Sequence, residues 1–322
     1  MPNSGGHDNA LAAQVEQVSR SSLSTWITVA NRKLCGVIAS SFTCSRGRAL
    51  WELNRKDWNL PLSKLDKLLC GGYLILSDYA AGTFPPQFLD EAAAHQAEID
   101  YTTSLPGLSR DEAMTSSLRK PFWSAVAFAR YARHFACLLR VFEELGLAPK
   151  KRLLELGCGA GWMAEFLALH GYALTGTSIC PDDITVAQQR MKGVEARGIV
   201  GCLRFVRCPM ESVNEHVRDE TPFDGVFVYE ALHHAFDWRR AIQAAYHCLR
   251  PGGWLVLANE PNRLHTFVSY RVAKLSNTHE IGFHRKQLLA HLAACGLGET
   301  RIFKPKVDNF ITPHWLAARR LR

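Results

Sequence analysis

The 322 residues predict a doubly wound α/β sheet, mostly parallel, preceded by a mostly helical N-terminal extension. Three observations predict it. From about residue 150 onward, short apolar runs of strand length alternate with segments of helical period, as crossover-connected parallel strands require. A glycine-rich turn, Gly157-Cys158-Gly159-Ala160-Gly161, joins the first run to the first of those helices. The composition, 47% apolar and 21% charged, is ordinary for a globular chain and excludes disordered, collagenous and coiled-coil classes. A chain this long buries roughly three quarters of its unfolded surface, so a core needs neither disulfide nor metal.

In chain order, residues 1–20 read as a loose tail and 21–120 as an extension broken at Gly71-Gly72 and Pro85-Pro86. Residues 121–322 form the main domain. Its opening segment carries Phe128, Tyr131, Phe135, Leu138, Leu139 and Phe142 at helical spacing. Such a stripe is expected to pack into the core, and Gly146 and Pro149 stop the helix. Leu153–Leu156 is the first strand, followed by a helix over Trp162–His170. Tyr172–Thr177 is the second strand. Pro181 opens the next helix with Asp182 and Asp183 in its first turn, where carboxylates favour the helix dipole, and Gly198 ends it. Leu203–Val206, Gly225–Tyr229 and Trp254–Ala258 are further strands. Helices over Trp238–Leu249 and Arg285–Ala294 lie between the later ones, with Pro251-Gly252-Gly253 as a turn.

No window approaches a transmembrane span, and the polar N-terminus lacks a signal-peptide h-region. The ten cysteines form no C-x-x-C pair and no zinc spacing. They are expected as free thiols, buried in apolar runs such as that of Cys137, in a cytoplasmic protein.

A glycine turn between strand and helix brings a ligand close to backbone amides and to the positive end of a helix. The dinucleotide fingerprint would need its third glycine at position 162, where Trp162 stands, and no Lys-Ser/Thr follows for a Walker A loop. Both nucleotide readings are set aside. The four blocks LLELGCGAGW, YALTGTSICPDDITVAQQRM, FDGVFVYEALHH and LRPGGWLVLANEP together resemble the class I S-adenosylmethionine-dependent methyltransferases of small-molecule type. The resemblance covers roughly residues 121 to 310 and implies a Rossmann-like sheet with S-adenosylmethionine as cofactor.

The resemblance implies that Glu155, Gly157, Cys158 and Gly159 line the methionine end of the cofactor, with Glu155 accepting from its amino group. It sets Ser178 at the ribose, where the family carries Asp or Glu, and Ile179 against adenine. Cys208 stands where the family has an acid for the adenine amino group; Met210 and Glu211 follow, and Glu211 or backbone groups are the substitutes. Tyr229, Glu230, His233 and His234 follow the fourth strand and border the methyl group. His233 and His234 are candidate bases because an unperturbed imidazole titrates near neutrality. Glu230 is a further base candidate or orients a histidine, and the alternative for both histidines is packing. Glu260 contacts substrate or caps the next helix.

The net charge is +8, and residues 260–322 hold eleven Lys/Arg against four acids. An insertion over 263–283 is expected as a basic lid that suits an acidic small-molecule substrate, and the extension over 21–120 as a substrate cap. The expected activity is methyl transfer to an O, N or C atom of a lipid, glycan or secondary-metabolite intermediate. Alternatives are an RNA or protein methyltransferase, or a scaffold that has lost its cofactor. The stacking motif of base-flipping enzymes is absent after the fourth strand, which disfavours nucleic acid. No metal is expected.

Overall fold

A seven-stranded sheet of order β3-β2-β1-β4-β5-β7-β6 organises the C-terminal two thirds of the computed structural model. The described residues are 28–41, 44–58, 60–84, 90–101, 103–220, 222–278, 280, 282–305, 311 and 314–322. The chain divides into two units, Met1–Leu53 with Leu62–Gln87, and Asn54–Pro61 with Phe88–Arg322.

The first unit is helical: α1 over 28–40, most of α2 (Ser45–Asn54), and α3 (Lys64–Ala81). The expected break at Gly71-Gly72 does not occur. Both glycines lie inside α3, whose ends are set instead by a Ser63–Asp66 capping box and a left-handed Gly82. The other expected break, Pro85-Pro86, and the tail over 1–20 lie outside the described residues.

In the second unit, α4 (Glu91–Ile99), α5 (Arg110–Arg119) and α6 (Ala125–Glu144) precede the sheet. Strands β1 (Arg152–Leu156), β2 (Ala173–Ser178), β3 (Leu203–Arg207), β4 (Phe223–Tyr229) and β5 (Leu249–Glu260) run parallel. Helices α7 (Trp162–Leu169), α8 (Pro181–Glu195), the short α9 (Val213–His216) and α10 (Trp238–Cys248) connect them. Then come α11 (Leu264–Ser276), α12 (Arg285–Ala294), β6 (Leu297–Phe303) and β7 (His314–Arg320). β7 inserts between β5 and β6, antiparallel to both. The expected turn at Pro251-Gly252-Gly253 lies inside β5, where the β4–β5 register shifts.

Each face of the sheet carries a core. One gathers Leu154, Leu156, Val226, Val228, Leu255 and Leu257 under α10 and α12. The other gathers Leu138, Phe142, Leu153, Phe227 and Val256 with α6 and α7. The alternation of strand residues between these faces is the period-2 geometry of a buried sheet. Of the predicted α6 stripe, Tyr131, Leu138 and Phe142 are buried, but Phe128 is exposed.

Two arginines clip α5 to α8. Arg110 grips Asp182 through two bonds of 2.7 and 2.5 Å. Arg190 is buried and donates to the carbonyls of Ser117, Leu118 and Lys120 and to Glu165. It satisfies the orphan carbonyls at the end of α5 and holds the α5–α6 turn in place.

Candidate functional site

β1 pairs with β2 on one side and β4 on the other, so the loops leaving β1 and β4 diverge and open a crevice at their carboxyl ends. A cavity of about 360 Å³ lies there, within the size range of small-ligand sites. Its lining includes Glu155, Gly157, Cys158, Gly159, Ser178, Ile179, Met210, Glu211, Tyr229, Glu230 and His234. Of the fourteen residues singled out from the sequence, these eleven and Cys208 line the cavity; His233 and Glu260 are not in the lining.

At the β1 end the wall is largely backbone. Gly157 has φ +66°, and a Cβ there would stand 2.6 Å from the Cβ of Ala231 and 2.7 Å from Met210 Cε. Gly161 has φ +75°, and its Cβ would meet the Phe205 ring at 2.7 Å. Only glycine satisfies both demands. Glu155 ends β1 with its side chain buried and its Oε2 without a hydrogen-bond partner among the described residues. Burial raises its pKa to about 8, against the pull of Lys120. The Lys120 ammonium lies 5.0 to 5.9 Å from the ring centroids of Tyr131, Trp123 and Trp162, a cation–π setting.

The wall also contains a carboxylate missed in the sequence. Asp183, read there as a dipole partner in the first turn of α8, lines the cavity. Ser178 Oγ donates to its Oδ2 at 3.1 Å and accepts from Cys180 N at 3.3 Å. An acid five residues beyond Ser178 thus stands at the tip of β2. Its spacing was the available signal: the third residue of a helix that starts at the sheet's carboxyl edge turns back toward the strand end. Cys208 and Met210 continue the wall. Glu211 is buried, accepting from Asp237 N at 3.0 Å with His95 Nε2 3.5 Å away.

At the β4 end, side chains fix one another. Glu260 is fully buried and accepts from the amides of Ala231 and Leu232 at 2.8 and 2.9 Å. Its second oxygen lies 3.0 Å from His233 Nδ1. Neither sequence reading of Glu260 holds, since its carboxylate organises the loop after β4. His233 is buried behind that loop by the same contact. His234 faces the cavity, 3.3 Å from Glu98 of α4. Burial lowers its pKa, but Glu98, Glu280 and Glu260 outweigh burial and raise it to about 9. A protonated imidazole donates and cannot accept a proton. Glu230 sits at φ +49° and Asn259 at φ +58°, conformations that cost non-glycine residues of order 1 kcal/mol or more. Asn259 Nδ2 donates to Glu230 Oε1 at 2.6 Å and its Oδ1 accepts from Trp315 at 3.3 Å. Beside it, Tyr229 OH and His134 Nδ1 are 2.6 Å apart. Burial lowers the His134 pKa, so its neutral ring accepts from the phenol. His95, Glu98 and Tyr101, which no motif marked, close this end from the α4 side.

Among the described residues, none that lines the cavity comes from the expected lid. Residues 264–276 form α11, and its Arg271 is buried against Asn54 at 2.6 Å and over the Trp58 ring. Arg301 and Arg319 pair with Glu299, and Arg320 donates to carbonyls beside α10. These members of the C-terminal basic excess hold the β6–β7 edge together. Among the described residues the cavity carries Glu98, Glu155, Asp183, Glu211 and Glu230, with Lys120 as the one Lys/Arg.

Residues 154–257 match a family model described as a methyltransferase domain. Among similar curated proteins, the tRNA 5-carboxymethoxyuridine methyltransferase of Escherichia coli is 30% identical over 118 residues, 37% of this chain and 43% of that protein. The ubiquinone biosynthesis O-methyltransferase of Xylella fastidiosa is 31% identical over 118 residues, 36% and 45% of the two chains. The S-adenosyl-L-methionine-dependent Diels-Alderase iccD of Talaromyces variabilis is 30% identical over 133 residues, 39% and 43%. The chain thus spans less than half the length of these relatives. Among solved structures, magnesium protoporphyrin IX methyltransferase from Synechocystis PCC 6803 superposes with TM-score 0.51 at 18% identity, covering 72% of this chain and 98% of that one. That superposition is a likeness of fold. Residues 154–257 are thus similar to a methyltransferase domain, set in a sheet that shares its fold with a methyltransferase of known structure.

Proposed function

We propose that the chain is an S-adenosylmethionine-dependent methyltransferase that methylates an O, N or C atom of a small molecule. The observation that carries this reading is the buried, unpartnered Oε2 of Glu155 beside a glycine loop with no room for side chains. A buried acceptor without a donor is costly, and a ligand ammonium relieves it. The donor set fits the cofactor. Glu155 takes its ammonium and Lys120 its carboxylate, while Asp183, steadied by Ser178, accepts from the ribose hydroxyls. Ile179, Cys208 and Met210 form an apolar slot for adenine, with Glu211 at its edge.

The bound cofactor supplies an electrophilic methyl group on sulfonium. The chain supplies position and charge. Glu230, pinned by Asn259, orients the acceptor hydroxyl or amine and takes its proton; such a base contributes typically 10²- to 10⁴-fold. His234, protonated, donates to the acceptor or to Glu98. His233 and Glu260 hold the loop. The alignment of acceptor and methyl group supplies the rest.

The acidic lining supports a neutral or cationic acceptor and argues against the acidic substrate suggested by the C-terminal charge. It also disfavours RNA, whose phosphates seek basic grooves. The test is to incubate the protein with methyl-tritiated cofactor and a cell extract fractionated by size. Label in the small-molecule fraction supports the reading. Label in RNA or protein overturns the acceptor class, and no cofactor binding by calorimetry overturns the activity.

A further inference from the structure

We propose that the turn between α5 and α6 is a docking surface for an anionic lipid bilayer. Along residues 118–128, five large apolar side chains face solvent. Leu118 is 44% exposed, Phe122 57%, Trp123 39%, Val126 82% and Phe128 41%. The Phe122 and Phe128 rings stack on each other at 5.1 Å and 18°, forming one aromatic ridge. Contiguous exposed apolar groups of this kind mark interaction surfaces.

Within residues 118–133 every charged side chain is basic. Arg119, Arg130 and Arg133 are exposed, and among the described residues no carboxylate lies within ion-pair distance of any of them. Arg130 lies over the Tyr131 ring at 4.6 Å. The indole N–H of Trp123 already donates to Ser116 O at 2.6 Å, so its ring enters the headgroup region with its polar atom satisfied. An apolar wedge rimmed by unpaired arginines carries the two signals that peripheral anchoring needs, inserted hydrocarbon and attraction to acidic headgroups. The surface is preformed, because Arg190 and Arg110 clip the turn to α8.

Other occupants fit less well. A second copy in two-fold contact would set the same three arginines against their symmetry mates. A nucleic acid would need open ring faces for stacking, whereas Phe122 and Phe128 cover each other and the most exposed member, Val126, is aliphatic. Lys120 and Trp123 also line the cavity, so docking brings the cavity mouth to the bilayer. That a membrane-resident acceptor enters there rests on the proposed function; docking itself does not.

The test is co-sedimentation of the full chain, without cofactor, with vesicles of phosphatidylcholine alone or mixed with phosphatidylglycerol. Binding is expected to the mixed vesicles and to fall with salt. Arg119→Ala/Arg130→Ala/Arg133→Ala together should weaken binding by about a hundredfold at low salt. Phe122→Ser/Val126→Ser/Phe128→Ser should weaken it at least tenfold while keeping the salt dependence. Val126→Trp, at a site open enough to leave folding untouched, should strengthen binding. None of these six residues lines the cavity, so cofactor affinity should stay as in wild type. The proposal is overturned if wild type ignores anionic vesicles or if Val126→Trp changes nothing. It is equally overturned if the variants lose a dimer by light scattering, or RNA retention on filters, while vesicle binding persists.

Discussion

At the β1 end of the cavity the wall is backbone and glycine, with one unpaired carboxylate; at the β4 end it is a set of carboxylates and imidazoles already engaged with one another. In the first arrangement Glu155 Oε2 is buried with no hydrogen-bond partner among the described residues, beside the left-handed Gly157 and Gly159. The second is self-supporting, since Glu260 holds Ala231, Leu232 and His233 while Asn259 holds Glu230. On the proposed reading, the first end receives the cofactor and the second presents a preset frame to the acceptor.

Substitutions that place a side chain in the glycine loop should have the largest effect. Gly157→Val puts a β-branched side chain at φ +66° against Ala231 and Met210. It should reduce cofactor affinity more than about a hundredfold and lower the unfolding midpoint, since the strain alone costs about 1–3 kcal/mol. Calorimetry and thermal unfolding read the two effects. Glu230→Gln should leave cofactor affinity within about twofold and lower the rate of tritium transfer by roughly 10²- to 10⁴-fold. Equal loss in both would place Glu230 with the cofactor and erase the contrast between the two ends.

Asp183→Asn should weaken the cofactor about tenfold, and Ser178→Ala by less, since the serine acts on the ribose through Asp183. If Ser178→Ala costs more than Asp183→Asn, the serine itself holds the ribose. A separate effect concerns stability. The folded pKa of His234, about 9, lies above the unfolded value near 6.5. Its contribution is therefore complete below about pH 6.5 and disappears as pH rises through about 9, on the order of 3 kcal/mol in all. His234→Asn should flatten that part of the stability curve, measured by urea unfolding across the same range.

Much of this was legible in the sequence because it is local. The runs Leu153–Leu156, Leu203–Val206 and Gly225–Tyr229 fall inside observed strands, and the glycine loop follows β1 where the spacing put it. What escaped is what depends on long-range packing. β7 is a seven-residue strand whose place between β5 and β6 no local pattern encodes. Gly71-Gly72 stays helical because the caps at Ser63 and Gly82 set the ends of α3. His95, Glu98 and Tyr101 reach the cavity across more than fifty residues of intervening chain. Asp183 carried a local signal, but its place at the helix start invited the dipole reading. The basic C-terminal segment was visible as charge; that Glu299 and backbone carbonyls engage several of its arginines could be seen only in three dimensions.

The most direct measurement is calorimetric titration of S-adenosylmethionine into wild type and Glu155→Gln between pH 6 and pH 9. Glu155, with a pKa of about 8 in the free protein, is mostly protonated at neutral pH and must lose its proton to meet an ammonium. Wild-type affinity should therefore rise with pH up to about 8, with proton release visible as a buffer-dependent heat. Glu155→Gln should bind about ten- to a hundredfold more weakly at pH 8 and without that pH dependence. Wild-type binding that ignores pH, or a Glu155→Gln protein that binds as tightly as wild type, would contradict the assignment of the β1 end to the cofactor.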